Sequence, residues 1–143
     1  MKWMFCLACL CAIALCAGCS TVDTAPQVSK ETPSLVGNWS GPVKGYIEGV
    51  GFRDSGDVSM TLIITEQQDR LFTGYMIFPL QSGSTRIEGF SGVINRDKKT
   101  FRIVEHTSGY GDGTLVSEDE IELMYLDDTE PTMLTLDILK RTV

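Results

Sequence analysis

The chain is poor in the residues that most chemistry needs. Among its 143 residues there is one histidine, His106, and no cysteine beyond Cys19. One histidine without cysteine does not make a zinc site of ordinary composition, so no metal centre and no cofactor are expected. A serine nucleophile would also lack its base, because His106 stands in no recognisable motif. The chain therefore reads as non-enzymatic. With all five cysteines (Cys6, Cys9, Cys11, Cys16 and Cys19) in the first 19 positions, an internal disulfide is excluded from the rest. The core alone must hold that part together. Basic residues are scarce as well: 12 Lys and Arg against 19 Asp and Glu give a net charge of −7. No basic patch is available for phosphates, which excludes nucleic acid as a partner and electrostatic adhesion to anionic headgroups. Long apolar runs are missing except for Trp3 to Leu15, and no helical repeat follows it.

That single run follows Lys2 and leads into the small residues Ala17-Gly18. A membrane-spanning helix needs about 20 apolar residues, so residues 1–18 read as a helical signal peptide, removed on export. Losing Lys2 with it leaves 11 basic against 19 acidic residues, or −8. Leu15-Cys16-Ala17-Gly18-Cys19 resembles the lipobox of prokaryotic lipoproteins, with Cys16 where leucine is usual. The resemblance implies that Cys19 carries diacylglycerol and becomes the first residue of the mature chain, with palmitate among its acyl chains. Two acyl chains would make attachment to the membrane effectively permanent. The alternative is ordinary cleavage that leaves a free Cys19 thiol. The expected location is the cell envelope: the outer face of the cytoplasmic membrane, or the outer membrane and periplasm. Ser20 to Ser34, with Pro26 and Pro33 and little apolar surface, completes a disordered linker over 19–34. Its 15 residues reach at most about 50 Å.

From Leu35 to the end at Val143 the signal is period two, which marks strands. Trp39, the only tryptophan after the leader, shares a face with Leu35, Gly37 and Gly41 and is expected to plug one end of the domain. Pro42 to Asp57 is the longest irregular segment, rich in glycine. Strands are expected over Val58–Gln67 (Met60, Leu62, Ile64 inward), Arg70–Phe78 (Phe72, Gly74, Met76, Phe78 inward) and Thr85–Ile94. In the last of these the phase is unclear, and Gly89 and Gly92 suggest a bulge. Phe101–Thr107, a glycine-rich turn over Ser108–Gly113, Thr114–Ser117, Glu120–Leu126 (Ile121, Leu123, Tyr125 inward) and Thr132–Lys140 (Leu134, Leu136, Ile138 inward) complete the pattern. Eight strands with short polar connections make an all-β, antiparallel up-and-down meander, which closes into a barrel. An open sandwich is the alternative.

Leu35-Val36-Gly37-Asn38-Trp39, Ser59-Met60-Thr61-Leu62, Leu71-Phe72-Thr73-Gly74-Tyr75, Gly89-Phe90 and Thr100-Phe101 follow one another as in the avidin and streptavidin family. That family is part of the broader lipocalin-like barrels. The likeness spans most of Leu35 to Thr142 and implies the architecture. The biotin-site residues are not matched. The first-strand polar ligand would fall near Gly41, the third-strand tyrosine is shifted by one, and the later tryptophans have no counterparts. Asp137 lies near the last-strand asparagine position but out of phase with Leu134, Leu136 and Ile138.

Among candidate site residues, Glu105 keeps phase with Phe101 and Ile103 and should point inward near a strand end. A buried carboxylate costs several kcal/mol unless paired. Glu105 is therefore a ligand-orienting group at the barrel mouth, one half of a structural pair with an arginine, or a solvated rim position. Glu88, on the neighbouring strand, is its companion, and together they are the one carboxylate pair that could act as acid and base. Tyr46, Phe52 and Tyr110 sit in the two glycine-rich connections and either form an aromatic lip or pack over a barrel end. The acidic runs at Glu118–Glu122 and Asp127–Glu130 lack calcium-loop spacing and read as a solvated face. The leading expectation is a binding barrel, favoured as a monomer, holding a small or apolar ligand at its mouth through Glu105, Glu88, Tyr46, Phe52 and Tyr110. The alternative is an envelope protein-interaction or protease-inhibitor-like module using the Pro42–Asp57 loop.

Overall fold

The computed structural model describes residues 31–79 and 83–142, except for the side chain of Asp57. The leader, Cys19 and the linker up to Lys30 lie outside the described residues. Eight strands follow in order: β1 (Gly37–Ile47), β2 (Gly51–Gln68), β3 (Leu71–Pro79), β4 (Thr85–Ile94), β5 (Thr100–Glu105), β6 (Tyr110–Ser117), β7 (Glu120–Asp127) and β8 (Met133–Thr142). Each pairs antiparallel with the next, and β8 returns to β1 from Asn38↔Thr142 to Ile47↔Met133. The meander is a closed barrel, so the sandwich is excluded and no edge is left to pair with another chain.

The alternation of side chains produces this closure. Met60, Leu62, Ile64, Phe72, Met76, Phe101, Ile103, Ile121, Leu123 and Tyr125 are all buried, on the faces their period predicts. In β4 the even positions Phe90 and Ile94 are buried and Ile87 is exposed. Its pairing with β3 runs without a register shift, so the suggested bulge is absent. Gly92 instead makes room: a Cβ there would strike the Phe72 ring.

The end of the barrel where β1 begins is closed by Trp39, which is fully buried. Its indole Nε1 donates to Leu35 O at 2.9 Å, and the Arg141 guanidinium stacks 4.0 Å above its ring. Arg141 also donates to Val36 O (2.8 Å) and Ser34 O (3.1 Å). Gln67 accepts from Leu35 N and donates to Pro33 O. The last linker residues thus lie bonded against the barrel. Gly37 has φ of +136°, and a Cβ there would sit 2.9 Å from Arg141 Nη1; glycine alone suits both demands.

Three expectations are corrected. Pro42–Asp57 is not an irregular loop: β1 runs on to Ile47 and β2 starts at Gly51, so the segment is a hairpin with a bulge between Pro42 and Lys44. Its glycines serve the turn, where Gly49 and Gly51 have φ of +71° and +87°, while Lys44↔Asp54 and Tyr46↔Phe52 pair across it. Tyr110 is not in a turn but opens β6. The phase of β8 is the reverse of that expected: Leu134, Leu136 and Ile138 are exposed, whereas Thr135, Asp137 and Leu139 are buried. Pairing decides this, because Ile121, Leu123 and Tyr125 point inward and lie opposite Leu139, Asp137 and Thr135. A one-residue slip would turn every side chain of β8 to the other face.

Candidate functional site

At the mouth, opposite Trp39, the inward faces of three strands end in polar residues, and a fourth carries a buried carboxylate deeper in. Glu105 closes β5 with its side chain buried, Arg86 and Glu88 open β4, Tyr125 and Asp127 end β7, and Asp137 lies one layer down on β8. Arg86 Nε donates to Glu88 Oε1 at 2.9 Å, Nη1 to Asp127 Oδ2 at 3.3 Å, and Nη2 reaches Glu105 Oε2 at 3.5 Å. One guanidinium therefore serves three carboxylates while lying 5.6 Å from the centre of the Phe78 ring. Thr107 donates to the other oxygen of Glu88, and the Thr129 amide and hydroxyl both donate to Asp127 Oδ1. Glu105 Oε1, Tyr125 Oη and Asp137 Oδ1 are buried without hydrogen-bond partners.

These surroundings set the charges. Burial pushes the Glu105 carboxyl up to about 7; the nearby Tyr125 hydroxyl and Arg86 only partly offset it. Tyr125 interacts with Glu105 here without reaching hydrogen-bond geometry. Burial, reinforced by Glu105, drives the Tyr125 phenol far above its ordinary range. Burial raises Asp137 to about 6 despite its bond from Thr135 Oγ1 at 2.9 Å and the nearby Lys44 backbone amide, which does not reach hydrogen-bond geometry with Oδ1. For Asp127 burial acts upward, but Thr129 and Arg86 outweigh it and hold the carboxyl below the usual range. The mouth can thus take up and release a proton near neutrality at Glu105. Among the described residues no three His, Cys, Asp or Glu side chains form a metal-ligating group.

Below this layer aromatic side chains pack against one another in the interior. Phe72 meets Phe90 and Phe101 edge-to-face at 6.1 and 5.8 Å, and Phe78 lies 5.8 Å from Tyr125. Two open depressions of about 270 and 300 Å³ lie elsewhere, one beside Pro33, Leu115 and Arg141 and one beside Glu66, Leu71 and Ser91. Neither is lined by Glu105, Arg86 or Tyr125.

The fold is similar to that of a redesigned β-barrel. The two chains are 13% identical, with the match covering 76% of this chain and 92% of that one at a TM-score of 0.54. A structural-genomics protein of unknown function from Bacteroides ovatus is 14% identical over 73% of this chain and 41% of that one, with a TM-score of 0.48. No protein-family model and no curated protein matches the chain. At 13% identity the likeness to the redesigned barrel is one of fold alone.

The structure brings Glu88 and Glu105 together around Arg86, but it sends Tyr46, Phe52 and Tyr110 elsewhere. These three point outward, with 65%, 54% and 42% of their surface exposed. Tyr46 and Phe52 form an edge-on pair 5.5 Å apart. Cross-strand register places them in one row, Val104–Tyr110–Leu126–Leu134–Tyr46–Phe52, with each residue directly opposite the next. The row crosses six of the eight strands on the outside of the wall. Sequence reasoning missed Arg86, Asp127 and Asp137, although a signal existed. Asp127 keeps phase with Ile121, Leu123 and Tyr125, and Arg86 keeps phase with Phe90 and Ile94.

Proposed function

We propose that the protein is a non-enzymatic docking module, held at the cell envelope by lipid on Cys19, that binds a protein partner against the outside of its barrel. One observation carries this: the unbroken outward row from Val104 to Phe52. With its neighbours Met124, Leu136 and Ile138 it presents roughly 800 Å² of apolar surface, above the few hundred Å² usual for a monomer's largest patch. The packing of Phe72 against Phe90 and Phe101 inside the barrel supports the same reading. The β1–β2 hairpin contributes two of the three most exposed members of the row, Tyr46 and Phe52. A photo-crosslinking residue placed at Tyr46 or Leu134 in the producing cell is expected to trap a product of defined mass. The same residue at Arg96, in the β4–β5 turn, is not. Equal trapping at all three positions, or at none, refutes the docking role.

The mouth supports a second reading: a small polar ligand whose ammonium group meets Glu105 Oε1 and whose acceptor meets the Tyr125 hydroxyl, the two buried atoms that lack partners. Native mass spectrometry of the protein from its own host should then show an added mass that Glu105→Gln abolishes. An added mass retained in that variant, or none, excludes the mouth as the site.

A further inference from the structure

We infer that the partner on the outer face is a second copy of the same chain, docked about a two-fold axis parallel to the strands and midway between β7 and β8. The inference rests on the docking role proposed above and names its partner. A two-fold contact must be self-complementary: whatever lies a given distance to one side of the axis meets what lies the same distance to the other. The outward rows meet that condition. In the upper row Leu126 and Leu134 flank the axis, with Tyr110 and Tyr46 one strand further out. One layer along the strands, Met124 and Leu136 flank it, with Asp112 and Lys44 outside them. Near the closed end Glu120 and Lys140 flank it as a directly opposed pair.

Rotation therefore sets leucine on leucine, tyrosine on tyrosine and methionine on leucine, while Asp112 and Glu120 each meet a basic residue. Asp112 faces the second copy's Lys44, and Glu120 faces its Lys140. Lys44 already pairs with Asp54 at 3.0 Å, and Asp112 with Arg102 at 2.7 Å. The two surface ion pairs would thus lie head to tail across the contact. Glu122 opposite Ile138 is the single mismatch, and its exposed carboxylate can turn to water. An apolar patch alone would suit many partners. A charge pattern that inverts across its own midline suits a copy of itself.

The wall curves away beyond β6 and β1, so close contact is confined to β6, β7, β8 and β1. Their outward apolar groups offer roughly 600 Å² per copy, somewhat below the 800 Å² of a standard interface. The pair should accordingly be weak and concentration-dependent. Mutual repulsion of two acidic chains is damped at physiological salt, where screening sets in within about 8 Å.

All eight strands and the buried core lie between Leu35 and Thr142, so a chain starting at Ser20 keeps the whole fold. Sedimentation of that chain in 0.15 M salt should show half dimer at about 10–100 µM. Leu136→Lys should raise the dissociation constant at least about tenfold and Glu120→Lys about fivefold, with circular dichroism unchanged. Adding Lys140→Glu to Glu120→Lys exchanges both charges and should restore the dimer. A monomer up to about 1 mM, a dimer indifferent to these substitutions, or a double variant that does not recover overturns the second-copy assignment. If the crosslinks at Tyr46 and Leu134 then trap a different protein, the docking role survives without it. If they trap nothing, both fall.

Discussion

Asp137→Asn is expected to stabilise the protein, and to do so only where the aspartate would be charged. Asp137 is buried on β8 with one oxygen bonded to Thr135 and the other without a partner. It titrates at about 6 in the folded chain against 3.8 for an unburied aspartate. A folded-state pKa raised above the unfolded value means that the folded state holds the proton more tightly. Stability is therefore fully present below pH 3.8 and is lost as pH rises through 6. The separation amounts to about 3 kcal/mol at pH 8. Asparagine removes the charge but sets an amide donor where Oδ1 has no partner, which reduces the gain to about 2 kcal/mol. Urea unfolding followed by the fluorescence of Trp39 at pH 4, 6 and 8 reads this directly. The gain should be near zero at pH 4 and reach its full size at pH 8. Glu105, about 7 against 4.5, supplies a second, later loss of similar size that persists in the variant. A variant equally or less stable than the parent at every pH would mean that the Asp137 charge is well solvated. The inward phase of β8 would then be wrong.

Arg86→Met leaves Glu88, Glu105 and Asp127 without their shared cation. It should cost about 3–5 kcal/mol at pH 8 and less at pH 5, where Glu105 takes up its proton, as measured by urea unfolding at both values. Leu139→Lys, which buries an ammonium in the core, should leave no cooperative thermal transition. Leu136→Lys, three residues earlier and facing out, should melt within a few degrees of the parent. Labelled palmitate should migrate with the parent protein in its host and be lost from Cys19→Ala; labelling that survives the substitution rejects lipidation at Cys19.

Much of the barrel was written locally. Period-two runs such as Met60-Leu62-Ile64 and Ile121-Leu123-Tyr125 state their own inward face, and short polar turns between eight such runs leave little choice but a meander. Glu105 was legible for the same reason, because it continues the phase of Phe101 and Ile103. The Pro42–Asp57 hairpin was not legible. Glycine and proline obscure its alternation, and only pairing across Lys44↔Asp54 and Tyr46↔Phe52 makes it a strand pair.

The amino-acid order by itself thus determined the number of strands, the inward residues of most of them and the end plug around Trp39. Tertiary structure alone decided which face of β8 turns inward. Leu134, Leu136 and Ile138 on one side compete with Met133 and Leu139 on the other, and local hydrophobicity favours the wrong side. That contest is settled by hydrogen-bond register with β7, a constraint between chain segments that neither segment carries alone. The same register gathers Arg86 from β4, Glu105 from β5 and Asp127 from β7 at the mouth, and it lines up the outward apolar row. Both depend on closure of the sheet, which exists only once the first and last strands have met.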